Sequence, residues 1–518
     1  MQTHCYLFND QCDVESWLQQ LAKDDLWQAV SLQENLTAYY DTFDWRLYRK
    51  GATLELESSE GRRELIYRSH KGDLLASSDH SEEPGFAWDL PIGQLRQQLE
   101  PLIKMRRLLP QVAVCSRKQS LAMLNRDRKT VLRMVVFFLR QAIDSQGNRH
   151  SLRSYLQVLP VQGYRSALNQ VNNLLGDDLF LQTTQFDPLA DALATLGRSP
   201  ADYSSKLNLS LQPTLTAQQA LRTILNHLLS TLRTNIEGTC NDLDSEFLHD
   251  LRVSVRRTRS ALNQLKGLLP TVELAPFREG FAWLGNITGL TRDLDVYLLK
   301  YSDYVQLLPE SHRQDLVPFH NFLKQRQAEE QEKLAALLEG AKSSNILALW
   351  QEFLDQEREA DPTLPDAELP VKEVADRRIW KLYKRCLKEG HSIATESPAE
   401  ALHELRKTCK KLRYLLEFFQ SLYPPIAIKT LIKSLKVLQD NLGDFQDYQV
   451  QGEAIYSFGI EMAAQNRVPP ATLLAMGILA SSLFNQQQQT RDDFDHQFQT
   501  FSQPDNHRLF QKLFSSTK

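Results

Sequence analysis

Two stretches of the sequence place histidine and basic residues at helical spacing. HDLRVSVRRTRSAL runs from His249 to Leu262, and HELRKTCKKLRYLL runs from His403 to Leu416. At about 100° per residue, each histidine and the basic residues three, seven and ten positions later fall within an arc of about 80° on one helix face. Stacked cations repel one another, so each face predicts either a solvated surface or the binding site of an extended polyanion.

The two stretches belong to an internal duplication with an offset of 154 residues, from His249 to His403. The same offset pairs Arg252 with Arg406, Arg256 with Lys410, Arg259 with Arg413, Pro270 with Pro424, Gly289 with Gly443, Asp293 with Asp447 and Val296 with Val450. On a merely solvated face, basic and acidic residues would interchange between copies. Arginine is instead retained at two of the three basic positions, which favours phosphate recognition because the guanidinium fork matches phosphate oxygens.

Each stretch also predicts a core face. The expected core residues are Leu251, Val255, Thr258 and Leu262 in the first copy, and Leu405, Cys409, Leu412 and Leu416 in the second.

The stretches resemble the signature helices of the CHAD family, the conserved-histidine α-helical domain. Two further segments support the resemblance: LGNITGLTRDLDVYL (284–298) and LQDNLGDFQDYQV (438–450), a looser copy with Gln446 in place of Arg292. The resemblance covers roughly residues 215–518. It implies an all-α domain of two pseudosymmetric helical bundles around a basic groove or pore that binds inorganic polyphosphate.

Two further basic stripes, 378–385 and 429–436, are typical of solubilising surfaces but are expected to extend the cationic groove. The predicted polyphosphate-binding residues are His249, Arg252, Arg256, Arg257, Arg259, Arg378, Lys381, Arg385, His403, Arg406, Lys407, Lys410, Lys411, Arg413, Lys429, Lys433 and Lys436. Each histidine either donates to phosphate or has a structural role at its helix start, and both interpretations stay open. Nucleic acid is an alternative ligand, although the stripes lack interleaved aromatic residues for base stacking.

No metal site or cofactor is expected. The sequence contains no H-x-x-x-H spacing, and Asp293 and Asp295 would lie about 200° apart on a helix. We expect these aspartates to cap a helix or to pair with the stripe arginines.

Residues 1–196 predict an α+β domain with a largely antiparallel sheet, because ATLELES and RELIYRS alternate like half-buried strands. Tyr39 to Asp44, Leu47 and Gly51 to Leu56 resemble the CYTH family of triphosphate tunnel enzymes. That family has glutamates on its first and last strands and arginines where this chain has Glu55 and Glu57. Tunnel hydrolysis requires metal-binding carboxylates and inward cations, so we expect a degenerate tunnel- or barrel-like domain without catalysis. A metal-dependent inorganic triphosphatase is the alternative.

The composition is that of an ordinary globular chain: 518 residues, 42% hydrophobic, with a net charge of −4. A polyanion site must therefore arise from local segregation of charge. Six scattered cysteines, the lack of a signal-like start and the lack of a membrane-length apolar run predict a cytoplasmic protein. The family resemblance adds an expected association with polyphosphate granules.

We expect a linker at 197–216 and a helical domain at 217–518, with halves of about 217–358 and 371–518.

Overall fold

A computed structural model describes residues 4–23, 25–176, 178–183, 186–356, 363–465 and 468–515. The chain divides into two compact units, residues 1–204 and residues 205–518, here named the sheet unit and the helical unit. The boundary between the units falls inside the predicted linker.

The sheet unit is built on one antiparallel sheet. Its strands are β1 (His4–Phe8), β2 (Trp27–Asp41), β3 (Ala52–Ser59), β4 (Arg62–Ser69), β5 (Leu74–Asp79), β6 (Leu109–Leu124), β7 (Thr130–Ile143), β8 (Arg149–Ser151), β9 (Tyr155–Pro160) and β10 (Leu181–Thr183). The order is β10-β1-β9-β7-β6-β2-β3-β4-β5, with β8 paired to β7. In the described residues of this unit, four α-helices accompany the sheet: α1 (Val14–Leu21), α2 (Gln94–Ile103), α3 (Arg165–Gly176) and α4 (Pro188–Thr195).

The predicted α+β class is confirmed, and strand β3 shows why alternation predicted it. Leu54 and Leu56 are buried in an apolar cluster that also contains Leu95 and Leu99 of α2. The intervening glutamates therefore point to the opposite face of the sheet.

The helical unit contains only helices and their connections in its described residues. The helices are α5 (Ala217–Cys240), α6 (Ser245–Gln264), α7 (Ala275–Ile287), α8 (Gly289–Leu299), α9 (Tyr301–Gln306), α10 (Val317–Glu339), α11 (Ala341–Asp355), α12 (Val371–His391), α13 (Ala399–Phe419), α14 (Pro425–Ala464), α15 (Pro470–Asp492), α16 (Phe494–Phe501) and α17 (Pro504–Phe514), with short 3₁₀ turns between some of them. The expected division between the two halves, 359–370, lies partly outside the described residues.

The two halves are related by a local two-fold arrangement. The backbone N–H of Ala217 donates to the carbonyl of Leu369 at 2.8 Å, and the N–H of Val371 donates to the carbonyl of Leu215 at 2.9 Å. Leu215 and Leu369 are equivalent under the 154-residue offset, as are Ala217 and Val371. Two hydrogen bonds that exchange equivalent positions are the pattern of a two-fold axis. The predicted pseudosymmetric pair of bundles is thus confirmed.

The predicted core faces of both signature stretches are buried. Leu251, Val255, Leu405, Cys409 and Leu412 are all 0% exposed and join one apolar cluster. Burial of these faces fixes the rotation of α6 and α13, so that the basic faces turn away from the core.

Gly238 lies inside helix α5, which continues to Cys240. A Cβ atom at Gly238 would lie 2.2 Å from the Phe247 ring, so the glycine is required by close packing of α5 on α6 rather than by helix termination.

Candidate anion-binding site

Helices α6 and α13 carry the two basic faces, and they begin at equivalent positions of the duplication. Ser245 and Ala399 are the first residues of the two helices, so each signature histidine is the fifth helical residue. The histidines therefore lie one turn inside their helices rather than at the start. The Asp244 side chain caps α6 by accepting from the Glu246 backbone N–H at 2.8 Å.

The two basic faces meet. Burial lowers the pKa of Lys410 from 10.5 to about 8, and the positive charges of Arg406, Arg256 and Arg413 add to that effect. Arg256 belongs to α6 and the other three residues to α13, and the two helices pack together. Arg256 and Lys410 are equivalent in the two copies, so the local two-fold arrangement brings like charges together. Arg252, Arg256, Arg406 and Lys410 are named the central cations.

Arg252 and Arg406 are held by different partners. The Arg252 guanidinium donates to the Thr288 hydroxyl at 3.0 Å and to the Gly285 carbonyl at 3.3 Å. The Arg406 guanidinium pairs with the Asp447 carboxylate at 3.2 Å. Its Nε is buried and has no hydrogen-bond partner among the described residues. An unpaired buried donor is costly, and a bound anion would satisfy it.

Equivalent glycines lie next to both guanidiniums. A Cβ at Gly289 would lie 3.7 Å from Arg252 Nη1, and one at Gly443 would lie 4.0 Å from Arg406 Nη2. The Gly-containing segments predicted from the duplication therefore border the central cations.

Carboxylates also approach this site. Partial burial raises the pKa of Asp293, and the negative charge of Asp447 adds to the increase, whereas Arg252 and Arg292 oppose it. Of the two aspartates expected to cap a helix or to pair with stripe arginines, Asp293 therefore interacts electrostatically with Arg252. Asp295 differs: it accepts a hydrogen bond from the Gln327 amide at 3.1 Å, and burial raises its pKa to about 7.

The two signature histidines have different partners. His249 Nδ1 lies 3.2 Å from Nη2 of Arg292, and His403 Nδ1 lies 2.6 Å from Oε1 of Gln446. Arg292 and Gln446 are equivalent positions, so the geometry is shared while the chemistry differs.

Glu417 is a residue that the sequence reasoning missed. Its carboxylate pairs with Arg257 at 2.9 Å and with Arg413 at 2.7 Å, and Arg257 also donates to the Ser205 carbonyl at 2.8 Å. Arg257 is only 11% exposed, so this predicted ligand lies in a partly buried ion pair between the two copies. The spacing of Glu417 from Arg413 is a helical i, i+4 signal, but the distant partner Arg257 has no local signal.

The remaining predicted residues lie around the central cations or on outer helix surfaces. Arg259 is exposed, with a guanidinium nitrogen 2.9 Å from the position of a Cβ on Gly285. Arg378, Arg385 and Lys407 pair with Asp366, Glu389 and Glu404 at 3.2, 2.6 and 2.7 Å. Lys411 is half-buried, and Lys381, Lys429, Lys433 and Lys436 are exposed.

In the sheet unit, Glu55 and Glu57 are paired with cations on the same face. Arg68 lies 3.2 Å from Glu55 and 3.8 Å from Glu57, and Lys118 lies 2.7 Å from Glu57. Burial raises the pKa of Glu55, and Arg68 opposes the increase. Both cations are therefore already neutralised by the protein.

In the part of the chain that the structure describes, no group of three or more histidine, cysteine or acidic side chains is placed to hold a metal ion. None of the helices in this described part is both long and apolar enough to span a bilayer.

Residues 223–456 match the family model of the CHAD domain. This segment is a CHAD domain. It contains α6, α12 and α13 completely, together with the lysines of α14. All of the predicted binding residues therefore lie within the CHAD domain.

Two curated relatives, uncharacterized proteins from two strains of Mycobacterium tuberculosis, are 26% identical over 294 residues, which is 54% of this chain and 55% of each relative. The chain thus spans about half the length of the curated relatives it matches. Among solved structures, the chain is similar to the CHAD domain from the plant Ricinus communis, with 21% identity, a TM-score of 0.46, and coverage of 61% of this chain and 97% of that one. It is also similar to a putative adenylate cyclase from Bacillus halodurans, with 11% identity, a TM-score of 0.27, and coverage of 36% and 97%.

Proposed function

We propose that this protein binds inorganic polyphosphate through the central cations of its CHAD domain. The observation that carries the proposal is the convergence of Arg256, Arg406 and Lys410 from two helices, which lowers the pKa of Lys410. Like charges that a fold holds together at a cost are expected where a ligand of opposite charge compensates them.

The unpaired Nε of Arg406 supports an anion rather than a neutral ligand. The helical arrangement of the cations further suits a linear polyanion, because the residues on each basic face follow one another over about 15 Å of helix. Asp447 already forms an ion pair with the Arg406 guanidinium, so the ligand must compete with a carboxylate. A chain of phosphates, with one or more charges on every unit, can do so at several positions at once.

Polyphosphate is favoured over nucleic acid because the aromatic residues near the stripes are engaged in the protein. Tyr414 lies against Phe418 with 6.4 Å between ring centroids, and Trp380 lies 5.6 Å from Tyr383. Single-stranded nucleic acids gain much of their affinity by stacking on aromatic side chains. A ligand without bases makes no use of such rings.

The sheet unit is proposed to lack triphosphatase activity. Arg68 and Lys118 are paired with glutamates on one face of the sheet, so a triphosphate would have to displace carboxylates to reach them. Incubation of the full chain with tripolyphosphate and Mg²⁺ or Mn²⁺ tests this part. We expect no phosphate release above background, and metal-dependent release would establish the alternative activity.

The binding experiment is isothermal titration of the full chain with polyphosphates of graded length, and with an oligonucleotide, at physiological salt. We expect polyphosphate to bind more tightly than the oligonucleotide and its affinity to fall steeply with salt. Arg256→Glu with Lys410→Glu should remove most of the affinity and reduce the salt slope by about two or more.

The matched control is Lys324→Glu with Arg508→Glu, which changes the net charge equally at two exposed residues outside the predicted site. Circular dichroism checks that both double variants keep their helices. Equal loss of affinity in the two variants would mean that net charge, and not the central cations, determines binding. Tighter binding of the oligonucleotide would favour a nucleic-acid ligand.

A further inference from the structure

We infer that the two signature histidines have opposite hydrogen-bonding roles: His249 is a neutral acceptor that positions Arg292, whereas His403 donates to Gln446 and makes anion binding dependent on pH. The second half of this inference rests on the proposed function, and the first half does not. The duplication provides the comparison, because the two histidines occupy equivalent positions on equivalent helices.

The role of His249 follows from its partner. Nη2 of Arg292 lies 3.2 Å from His249 Nδ1, and an arginine nitrogen can only donate. Nδ1 must therefore accept, which places the ring proton of a neutral imidazole on Nε2. A second proton on the ring would remove this acceptor and add a like charge beside Arg292. The hydrogen bond from Arg292 therefore requires the neutral form of His249.

Arg292 in turn is fixed by the start of α6. It donates to the Ser245 carbonyl at 2.9 Å and lies 3.6 Å from the Glu246 carboxylate. His249 thus belongs to a set of contacts that ties α8 to the first turns of α6. Its role is to position Arg292, which influences Arg252 and Asp293 electrostatically.

The second copy reverses the direction of the hydrogen bond. Oε1 of Gln446 lies 2.6 Å from His403 Nδ1, and an amide oxygen can only accept. Nδ1 of His403 must therefore carry a proton, so the neutral imidazole has its lone pair on Nε2. In the described part of the chain no protein group pairs with that nitrogen, and a second proton there costs no existing hydrogen bond.

Other charged groups lie near His403. On its own helix these groups are Glu404, Arg406 and Lys407; the neighbouring helices contribute Arg385, Arg256, Asp447 and Asp444, and burial raises the pKa of Asp444. Histidine itself gains its second proton between about pH 5.5 and pH 7.5. Protonated His403 adds a cation and a donor to the basic face, and a bound polyanion favours that form.

The sign of the pH effect follows from linkage. A protonated imidazole attracts a polyanion and a neutral imidazole does not, so the affinity gained through His403 is present at the lower pH values and is lost as the pH rises. Asp295, with a pKa of about 7, also titrates here. The contribution of His403 is therefore the difference between the wild type and His403→Gln, not the wild-type profile alone.

The first experiment is NMR of the full chain with ¹⁵N-labelled histidine in a deuterated background, assigned with His249→Gln and His403→Gln. It needs no ligand. We expect the neutral ring of His249 to carry its proton on Nε2 and that of His403 to carry it on Nδ1. The same protonated nitrogen in both rings would overturn the inference, whatever the protein binds.

The second experiment titrates a long-chain polyphosphate between pH 5.5 and pH 7.5. We expect the affinity ratio of wild type to His403→Gln to rise several-fold, up to about tenfold, as the pH falls. His249→Gln should lower affinity by a similar factor at every pH, because it disturbs Arg292 without removing a titrating group.

Gln446→Arg provides the sharpest comparison, since it gives the second copy the partner found in the first. At this half-buried position it should make His403 an acceptor and flatten the pH dependence to that of His403→Gln. An unchanged profile in both His403→Gln and Gln446→Arg would refute the pH role of His403. Absence of polyphosphate binding at every pH would refute the proposed function together with that pH role, while the NMR result would decide the hydrogen-bond assignment separately.

Discussion

Lys410→Met removes the charge from the most strongly perturbed of the central cations while it keeps most of the aliphatic side chain. Burial and three neighbouring arginines lower the pKa of Lys410 from 10.5 to about 8. One pKa unit corresponds to about 1.4 kcal/mol, so the charged lysine destabilises the fold by up to roughly 3 kcal/mol at pH 7. We expect the methionine variant of the free protein to be more stable than the wild type by up to that amount.

The sign of the pH dependence is fixed by the direction of the shift. Between the folded pKa of about 8 and the unfolded value near 10.5, the unfolded chain binds more protons, so wild-type stability rises with pH in this window. The advantage of Lys410→Met should therefore fall from about 3 kcal/mol at pH 7 to about half of that at pH 9.5.

Urea unfolding followed by far-UV circular dichroism, at pH 7 and at pH 9.5, measures both quantities. Lys324→Met, at an exposed lysine of α10, is the matched control and should change the free energy of unfolding by less than about 0.5 kcal/mol. Added polyphosphate should stabilise the wild type more than Lys410→Met, because a ligand stabilises the state that binds it better. A destabilised Lys410→Met variant at pH 7, or a gain that does not shrink at pH 9.5, would refute the reasoning.

Three further predictions concern stability. Glu417→Gln leaves two arginines without their shared carboxylate and should lower the free energy of unfolding by roughly 2–4 kcal/mol in urea titrations at pH 7; a change below 1 kcal/mol would contradict it. Gly390→Ala should lower the melting temperature of the helical unit, because its Cβ would lie 1.9 Å from the Phe498 ring, whereas Gly477→Ala has open space and should raise it slightly or leave it unchanged. Burial raises the pKa of Asp295 to about 7, so the charged carboxylate destabilises the fold at pH 8 but is protonated near pH 4. Asp295→Asn, which mimics the protonated acid, should therefore raise the free energy of unfolding in urea at pH 8 and have no effect near pH 4. Equal effects at both pH values would argue against a buried carboxylate.

The sequence predicted those features that depend on local periodicity. The burial of Leu251 and Cys409, and hence the rotation of the two basic helices, followed from helical spacing. Strand alternation predicted β3 and β4, with Glu55 and Glu57 on the face opposite the buried leucines. The pairing of Glu57 with Lys118 depends on β6, the neighbour of β2 in the sheet, which alternation does not specify.

Side-chain partners that lie far apart in sequence could not be predicted from local spacing. Arg257 looked like any other cation of its stripe until Glu417, 160 positions later, was seen to neutralise it. Likewise, the two signature histidines looked equivalent, because the residues that distinguish them, Arg292 and Gln446, act through hydrogen-bond direction. Spacing predicts which groups share a face, whereas charge compensation depends on which faces meet.

The local two-fold arrangement explains why such a site arises from duplication. Around a two-fold axis, residues near the axis meet their own equivalents. A basic residue then faces a basic residue, as Arg256 meets Lys410, and an acid approaches an acid, as Asp293 approaches Asp447. Most surfaces of a protein avoid such repulsion by pairing opposite charges. A residue close to a two-fold axis instead faces a residue of the same charge, unless the sequences of the two copies differ at that position. A duplicated basic helix packed against its copy therefore concentrates positive charge without any change in the net charge of the chain. If the protein binds polyphosphate as proposed, an anion that compensates both copies would lie near the axis, within reach of both sets of central cations.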